Sequence, residues 1–271
     1  MQIWAVANQK GGVGKTTTTV ALGGLAAAAG RRVVLLDLDP HGSLTCYFRL
    51  DPESLPGSTF TLFQERKNLT TRLVGQLVVT TPYHNLNLIP ATTGLATLER
   101  QAIGSDGMGL VISRALAQVW EDFDLAILDC PPQLGVLMVN ALAACQRLII
   151  PVQTEFLALK GLERMVHTLE MLQKSRNRPL PYTVVPTLFD RRTQASVTSL
   201  RALRNTYGEV VWPGVVPVDT RLRDASKAGV PPHLFSPGSR GVEAYVSLLD
   251  FIDGQKRVVD SQPKLPARSH A

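Results

Sequence analysis

The chain has 271 residues, 45% of them hydrophobic, and carries 28 lysines and arginines against 22 acidic residues for a net charge of +6. A chain of this length buries roughly three quarters of its unfolded surface, and one doubly wound sheet can use all of it, so a single core suffices. Cys46, Cys130 and Cys145 are odd in number, lack a C-x-x-C spacing and sit in or beside apolar segments, which argues against disulfide, metal and iron–sulfur roles; no apolar run approaches the roughly 18 residues of a membrane span.

The amino terminus runs straight into a strand, Ile3-Trp4-Ala5-Val6-Ala7, without the charged region or cleavage site of a secretory signal, so a cytoplasmic protein is expected. Lys10-Gly11-Gly12-Val13-Gly14-Lys15-Thr16-Thr17 follows, and residues 18–29 read as a helix. Strand, glycine loop and helix make the context of a phosphate cradle. Glycines let backbone N–H groups converge on phosphate oxygens, the helix offers its positive end, Lys15 supplies a point charge and Thr16 a hydroxyl for Mg²⁺.

Residues 32–36 read as a second buried strand and deliver Asp37-Leu38-Asp39-Pro40-His41-Gly42-Ser43 at its end. Asp37 and Asp39 alternate along extended chain and share one side. An isolated Asp-x-Asp-Pro is more often a strand-ending turn than a site; next to a phosphate loop the balance reverses and it reads as a site. Residues 51–79 show no clear period and support no assignment. A strand at 85–90 and a helix at 110–120 lead to Phe123-Asp124-Leu125-Ala126-Ile127-Leu128-Asp129-Cys130-Pro131-Pro132, a strand stopped by its prolines. Asp124 reads as a solvated strand start. Asp129 would be costly at a buried strand end without a cation, which assigns it to the metal.

Beyond it come a helix at 134–144, a buried strand at 146–152 and a helix at 156–174 with Leu159, Leu162, Met165, Val166, Leu169 and Leu172 on its core face. A strand at 182–188 and helices at 196–207 and 241–251 complete the pattern. The βα alternation predicts an α/β fold with a doubly wound, mostly parallel sheet over residues 1–254. Residues 255–271, with two prolines and scant apolar content, predict a flexible tail.

Gln9 stands where the strict G-x-x-x-x-G-K-[ST] pattern needs glycine, and Lys10 is added. This deviant loop resembles that of the ParA/MinD family of Walker-type ATPases. The two aspartate motifs and the runs Pro151-Val152-Gln153-Thr154-Glu155, Phe189-Asp190-Arg191-Arg192-Thr193, Arg221-Leu222-Arg223-Asp224-Ala225 and Ser239-Arg240-Gly241 extend the resemblance to near Phe251.

The resemblance implies a P-loop NTPase with a deviant Walker A motif that binds ATP with Mg²⁺. It further implies a sandwich homodimer holding two nucleotides and slow hydrolysis until a partner stimulates it. Carried onto this chain, it puts Gly11, Gly12, Val13, Gly14, Lys15, Thr16 and Thr17 on the phosphates and Thr16, Asp37 and Asp129 at the metal. Lys10 would cross to the other protomer's phosphates, Asp39 would orient the attacking water, and Thr187, Pro217 and Asp219 would lie near the adenine. His41 departs from the family's usual Gln. The guanine-reading N-K-x-D motif is absent, which favours ATP.

Charge bears on the partner. Between Lys160 and Arg204 nine basic residues face three acidic ones, a surplus of 9 − 3 = 6 that equals the whole chain's net charge. With Arg221, Arg223 and Lys227 following, this predicts a surface that holds DNA phosphates without reading sequence, assigned to Arg201, Arg204, Arg221 and Arg223; the alternative is a solvated basic face. The resulting expectation is an ATP-gated protein riding on the nucleoid that positions cargo and is released by a ParB-like or polar adaptor protein. The cargo is a chromosome, a plasmid or, from a weaker resemblance of residues 4–9 and 39–41, a chemotaxis array at the cell pole. The alternative is a MinD-like membrane-cycling regulator of division-site or flagellar placement, disfavoured by the non-amphipathic tail; a metabolic ligase is disfavoured by Lys10.

Overall fold

A computed structural model describes residues 1–101, 108–173 and 179–260. Lys174, Arg176 and Arg178 of the basic run, and the expected tail beyond position 260, lie outside these residues. β1 (Gln2–Val6) leads through the glycine loop into α1 (Lys15–Ala28) and β2 (Val33–Asp37). Next come α2 (Ser43–Tyr47), α3 (Thr59–Gln64), α4 (Thr71–Leu77), β3 (Val79–Thr80), β4 (Leu86–Ile89), α5 (Leu95–Gln101) and α6 (Val111–Gln118). β5 (Leu125–Asp129), α7 (Val136–Ala144), β6 (Arg147–Gln153), α8 (Phe156–Gln173) and β7 (Tyr182–Thr187) continue the alternation. The described chain closes with α9 (Gln194–Tyr207), α10 (Thr220–Ala228), α11 (Pro232–Phe235) and α12 (Arg240–Asp260).

The strands form one seven-stranded sheet in the order β3-β4-β2-β5-β1-β6-β7, parallel except for the β3–β4 pair. The doubly wound sheet read from the sequence is thus the observed fold. Because the sheet is covered on both faces, β2 and β5 are buried throughout, and their apolar runs are continuous rather than alternating. One core packs residues such as Leu62, Ile112, Leu137 and Leu162 against one face; the other packs Val20, Leu22, Leu222 and Tyr245 against the opposite face.

Register positions the chemistry. Asp129 at the end of β5 pairs with Val6 of β1 on one side and with Asp37 of β2 on the other. The glycine loop and both carboxylates therefore emerge at one level, at the carboxyl edge of adjacent strands, where open α/β sheets bind their ligands. α1 lies close over this edge because Gly23 faces β2; a Cβ there would fall 2.7 Å from Leu35 Cδ2. Tyr245 of α12 ties that helix to α1 through a 2.9 Å bond between its hydroxyl and that of Thr18.

The structure departs from the sequence reading in local ways. α1 begins at Lys15 rather than at 18, because Gly14 at φ 92° ends the loop and Lys15-Thr16-Thr17 form the first helical turn. The aperiodic stretch 51–79 holds the short helices α3 and α4, begun by the Ser58 and Thr70 caps. α10 has no counterpart in the sequence reading, although Asp219 caps it and Gly229, at φ 73°, ends it. α12 runs on to Asp260, nine residues past the expected end, because only Gly254 interrupts helix-forming sequence there and the first proline is Pro263. The expected tail from 255 is therefore helical as far as 260.

Candidate phosphate and metal cleft

The loop between β1 and α1 is held from several sides. Asn8 Nδ2 donates to the Pro151 carbonyl (2.7 Å) while its Oδ1 accepts from the Lys10 amide (3.1 Å). Gln9, in place of the usual glycine, donates to Thr168 Oγ1 of α8 (2.9 Å), so the departure from the strict pattern ties the loop to a helix. Thr187 donates to the Val13 carbonyl (2.8 Å). Gly12 and Gly14 sit at φ 74° and 92°, and a Cβ at Gly11, Gly12 or Gly14 would meet no atom within 4 Å. The glycines thus face open space beside the first turn of α1, whose leading N–H groups have no intrahelical acceptor. That is an anion cradle.

Asp129 is 1% exposed; its Oδ2 accepts from Thr16 Oγ1 (2.7 Å), and Thr19 Oγ1 lies 3.5 Å from its Oδ1. Burial pushes its carboxyl well above the usual range, and nearby Asp37 adds to the effect, against the Thr16 bond and Lys15. Asp37, fully buried, is pushed up to about 6 by the same loss of solvent. Its oxygens accept from the Thr45 amide (2.8 Å), the Thr45 hydroxyl (2.7 Å) and the Asp39 amide (3.1 Å). Burial also lowers Lys15, opposed by Asp129 and Asp39, and its Nζ donates to the Lys10 carbonyl (3.1 Å).

Two buried carboxylates beside one ammonium fit a further cation. Among the described residues no group of three or more His, Cys, Asp or Glu side chains could hold a metal alone. One hydroxyl and one carboxylate suit magnesium that arrives on phosphate oxygens with part of its water. Thr16 and Asp129 form that pair, whereas the bonds of Asp37 also organise the turn leading into α2.

The cleft has two adjoining parts. A phosphate part of about 470 Å³ is lined by Gly11, Lys15, Thr16, Asp39, His41 and Pro132 among others. Asp39 Oδ1 accepts from the His41 amide (3.0 Å) and lies 2.9 Å from His41 Nδ1. A second part of about 310 Å³ shares Gly12, Gly14, Thr17 and Ser226 with the first and extends to Thr187, Pro217 and Asp219. The structure thus brings all three residues expected at the base to one place, though Asp219 has both oxygens engaged, by the Arg221 amide (2.9 Å) and the Gly241 amide (2.8 Å).

Lys10 does not line its own cleft; its ammonium is paired with Glu155, just before α8. Glu155 belongs to one of the sequence motifs, but nothing in the sequence gives it a role. Ser226 and Tyr245 also escape sequence reading, since nothing local marks residues that reach a cleft only through packing. Arg201 and Arg204, three apart on α9, are both exposed, and Arg204 donates to the Pro213 carbonyl. Arg221 and Arg223, two residues apart on α10, point about 160° from one another, and Arg223 lines the cleft.

Residues 1–182 match the family model of an AAA domain. The chain is 36% identical over 248 residues, 91% of its length and 96% of the relative's, to the sporulation initiation inhibitor protein Soj of Bacillus subtilis. It is 32% identical to the chromosome partitioning protein ParA of Myxococcus xanthus, covering 98% of this chain and 91% of that one. Among solved structures, cobyrinic acid a,c-diamide synthase from Mycobacterium smegmatis with bound ADP and magnesium superposes over the full length of both chains with a TM-score of 0.79 at 34% identity.

The raised Asp129 carboxyl has a consequence for stability. A group whose folded pKa exceeds its unfolded value near 3.9 costs stability progressively as pH rises through that interval. Asp129→Asn is expected to raise the stability of the nucleotide-free protein at pH 8 by about 1 kcal/mol, with the advantage shrinking as pH falls toward 4. Urea denaturation at several pH values measures this, and a variant less stable than its parent at pH 8 contradicts the assignment.

Proposed function

The chain belongs to the ParA/Soj family of P-loop ATPases, and from that membership we propose that it is a nucleotide-gated positioning protein of the chromosome- or plasmid-partition kind. The observation that carries the reading is the levelling of three strand ends, which sets an open glycine cradle against the Thr16–Asp129 pair. ATP would lie with its phosphates on residues 11–17 and Mg²⁺ on Thr16 and Asp129, with Asp37 holding the neighbouring turn. Magnesium supplies charge neutralisation of the phosphates; the chain's own residues orient them. Lys15 binds the β- and γ-phosphates, and Asp39, at the wall of the same cleft, positions water for attack.

Lys10 supports the dimer. It leads the phosphate loop yet lies outside its own cleft, and in a twofold arrangement each Lys10 can serve the other protomer's nucleotide reciprocally. Lys10 has its use in such a dimer, which favours partition over the diamide synthesis for which the M. smegmatis protein is named. The basic face of α9, with Arg201 and Arg204, together with Arg221, is assigned to nonspecific DNA, and a ParB-like or polar adaptor protein to triggering hydrolysis and release. On this reading the protein works in the cytoplasm, on the nucleoid. The MinD-like alternative has less support, because the basic surface suits nucleic acid; no described helix is long and apolar enough to cross a membrane.

Lys15→Ala is expected to abolish ATP binding, measured by fluorescent-nucleotide titration, whereas Asp39→Ala keeps binding within about threefold and loses turnover by about 10²-fold or more. Equal loss of binding in both variants, or full turnover in Asp39→Ala, contradicts the roles given.

With ATP the protein is expected to bind duplex DNA of any sequence, with affinity falling steeply as salt rises. Replacing Arg201 and Arg204 by Glu should flatten the plot of log affinity against log salt by about 1–2, roughly one for each phosphate no longer neutralised, while nucleotide binding survives. Unchanged affinity in that variant moves the DNA surface elsewhere.

A further inference from the structure

The nucleoside half of the cleft contains one charged side chain left without a partner. Of its polar lining groups, Thr187 donates to the Val13 carbonyl, Tyr245 is bonded to Thr18, and both oxygens of Asp219 accept backbone amides. Arg223 also lines this half, and its guanidinium makes no hydrogen bond or ion pair among the described residues. Placement follows from α10. Leu222 and Ala225 are buried and fix the helix's inner face, so Arg223 and Ser226, one turn apart, look along the cleft while Arg221 looks away from it.

We infer that Arg223 is a nucleoside-binding residue, whose guanidinium lies against the purine of the bound nucleotide. This rests on the reading of the cleft as a nucleotide site and adds a specific contact to it. Polarity fixes the orientation: the triphosphate is anchored at the glycine and Lys15 end, so sugar and base must run toward Pro217, Val218 and Leu222, an apolar wall suited to one face of a purine. A planar guanidinium covers the other face by stacking and offers its donors to ring nitrogens or ribose hydroxyls. Lining the nucleoside part of the cleft and not the phosphate part, Arg223 contributes to nucleoside affinity and little to phosphate binding. The residue moves from the DNA surface, where charge alone puts it, into the nucleotide site.

The test uses ADP, which separates nucleotide contact from dimerisation, and magnesium tripolyphosphate, which has phosphates but no base. In calorimetric titration of the full chain, Arg223→Ser is expected to weaken ADP about tenfold, Arg223→Lys to recover less than half of that loss on a logarithmic scale because lysine keeps charge without the plane, and Arg221→Ser to match the parent. Tripolyphosphate, competing against a fluorescent nucleotide, is expected to bind parent and Arg223→Ser equally. ADP affinity within about twofold of the parent in Arg223→Ser overturns the inference alone. Equal weakening of tripolyphosphate, or full rescue by lysine, also overturns it, because Arg223 would then act as a charge on the phosphates. Failure of the parent to bind ADP removes the nucleotide reading itself.

Discussion

Asp37 and Asp129 stand opposite each other at the ends of adjacent parallel strands, both buried, with the single ammonium of Lys15 close by. That excess of buried negative charge is the constraint on which the rest of the site depends. Asp37 is relieved by three hydrogen bonds, two of them from Thr45, and those bonds shape the turn that carries Asp39 and His41. Asp129 has the Thr16 hydroxyl at 2.7 Å and a more distant contact to Thr19 at 3.5 Å, and retains capacity to bind a cation. A cleft with this balance favours a polyanion that brings its own divalent metal, since neither phosphate nor magnesium alone would satisfy both the cradle and the carboxylates.

The surroundings keep this arrangement rigid in some directions and free in others. Three elements hold the loop: β6 through Asn8, α8 through Gln9 and β7 through Thr187. The glycines remain uncovered. Lys10 is turned onto Glu155, so the loop's other lysine belongs to a surface rather than to its own cleft. Phe156 and Leu157, which directly follow Glu155, are 72% and 67% exposed. A second protomer is the occupant proposed for this surface.

What the sequence makes legible are the features encoded within a few residues. Glycine spacing, a lysine and threonine at a helix start, and carboxylates ending apolar strands are local patterns, and each falls where the sheet needs it. The α10 helix escapes sequence reading because Thr220–Ala228 buries only Leu222 and Ala225, too few for an apolar period, although its Asp219 cap and Gly229 stop are readable. Segment 51–79 is opaque for the same reason, its helices being a turn or two long. The side on which Arg223 falls, the commitment of Asp219 to two amides and the pairing of Lys10 with Glu155 depend on tertiary contacts between residues up to 145 apart, which no local pattern encodes.

The central claim is that a nucleotide gates association by recruiting Lys10 across a twofold interface. Sedimentation velocity with ATP and magnesium, on the Asp39→Ala background to prevent turnover, tests it directly when the same protein is compared with and without Lys10→Ala. The account predicts a dimer with Lys10 and a largely monomeric species without it, while titration shows both still bind ATP. A Lys10→Ala protein that dimerises as completely as its parent would contradict it.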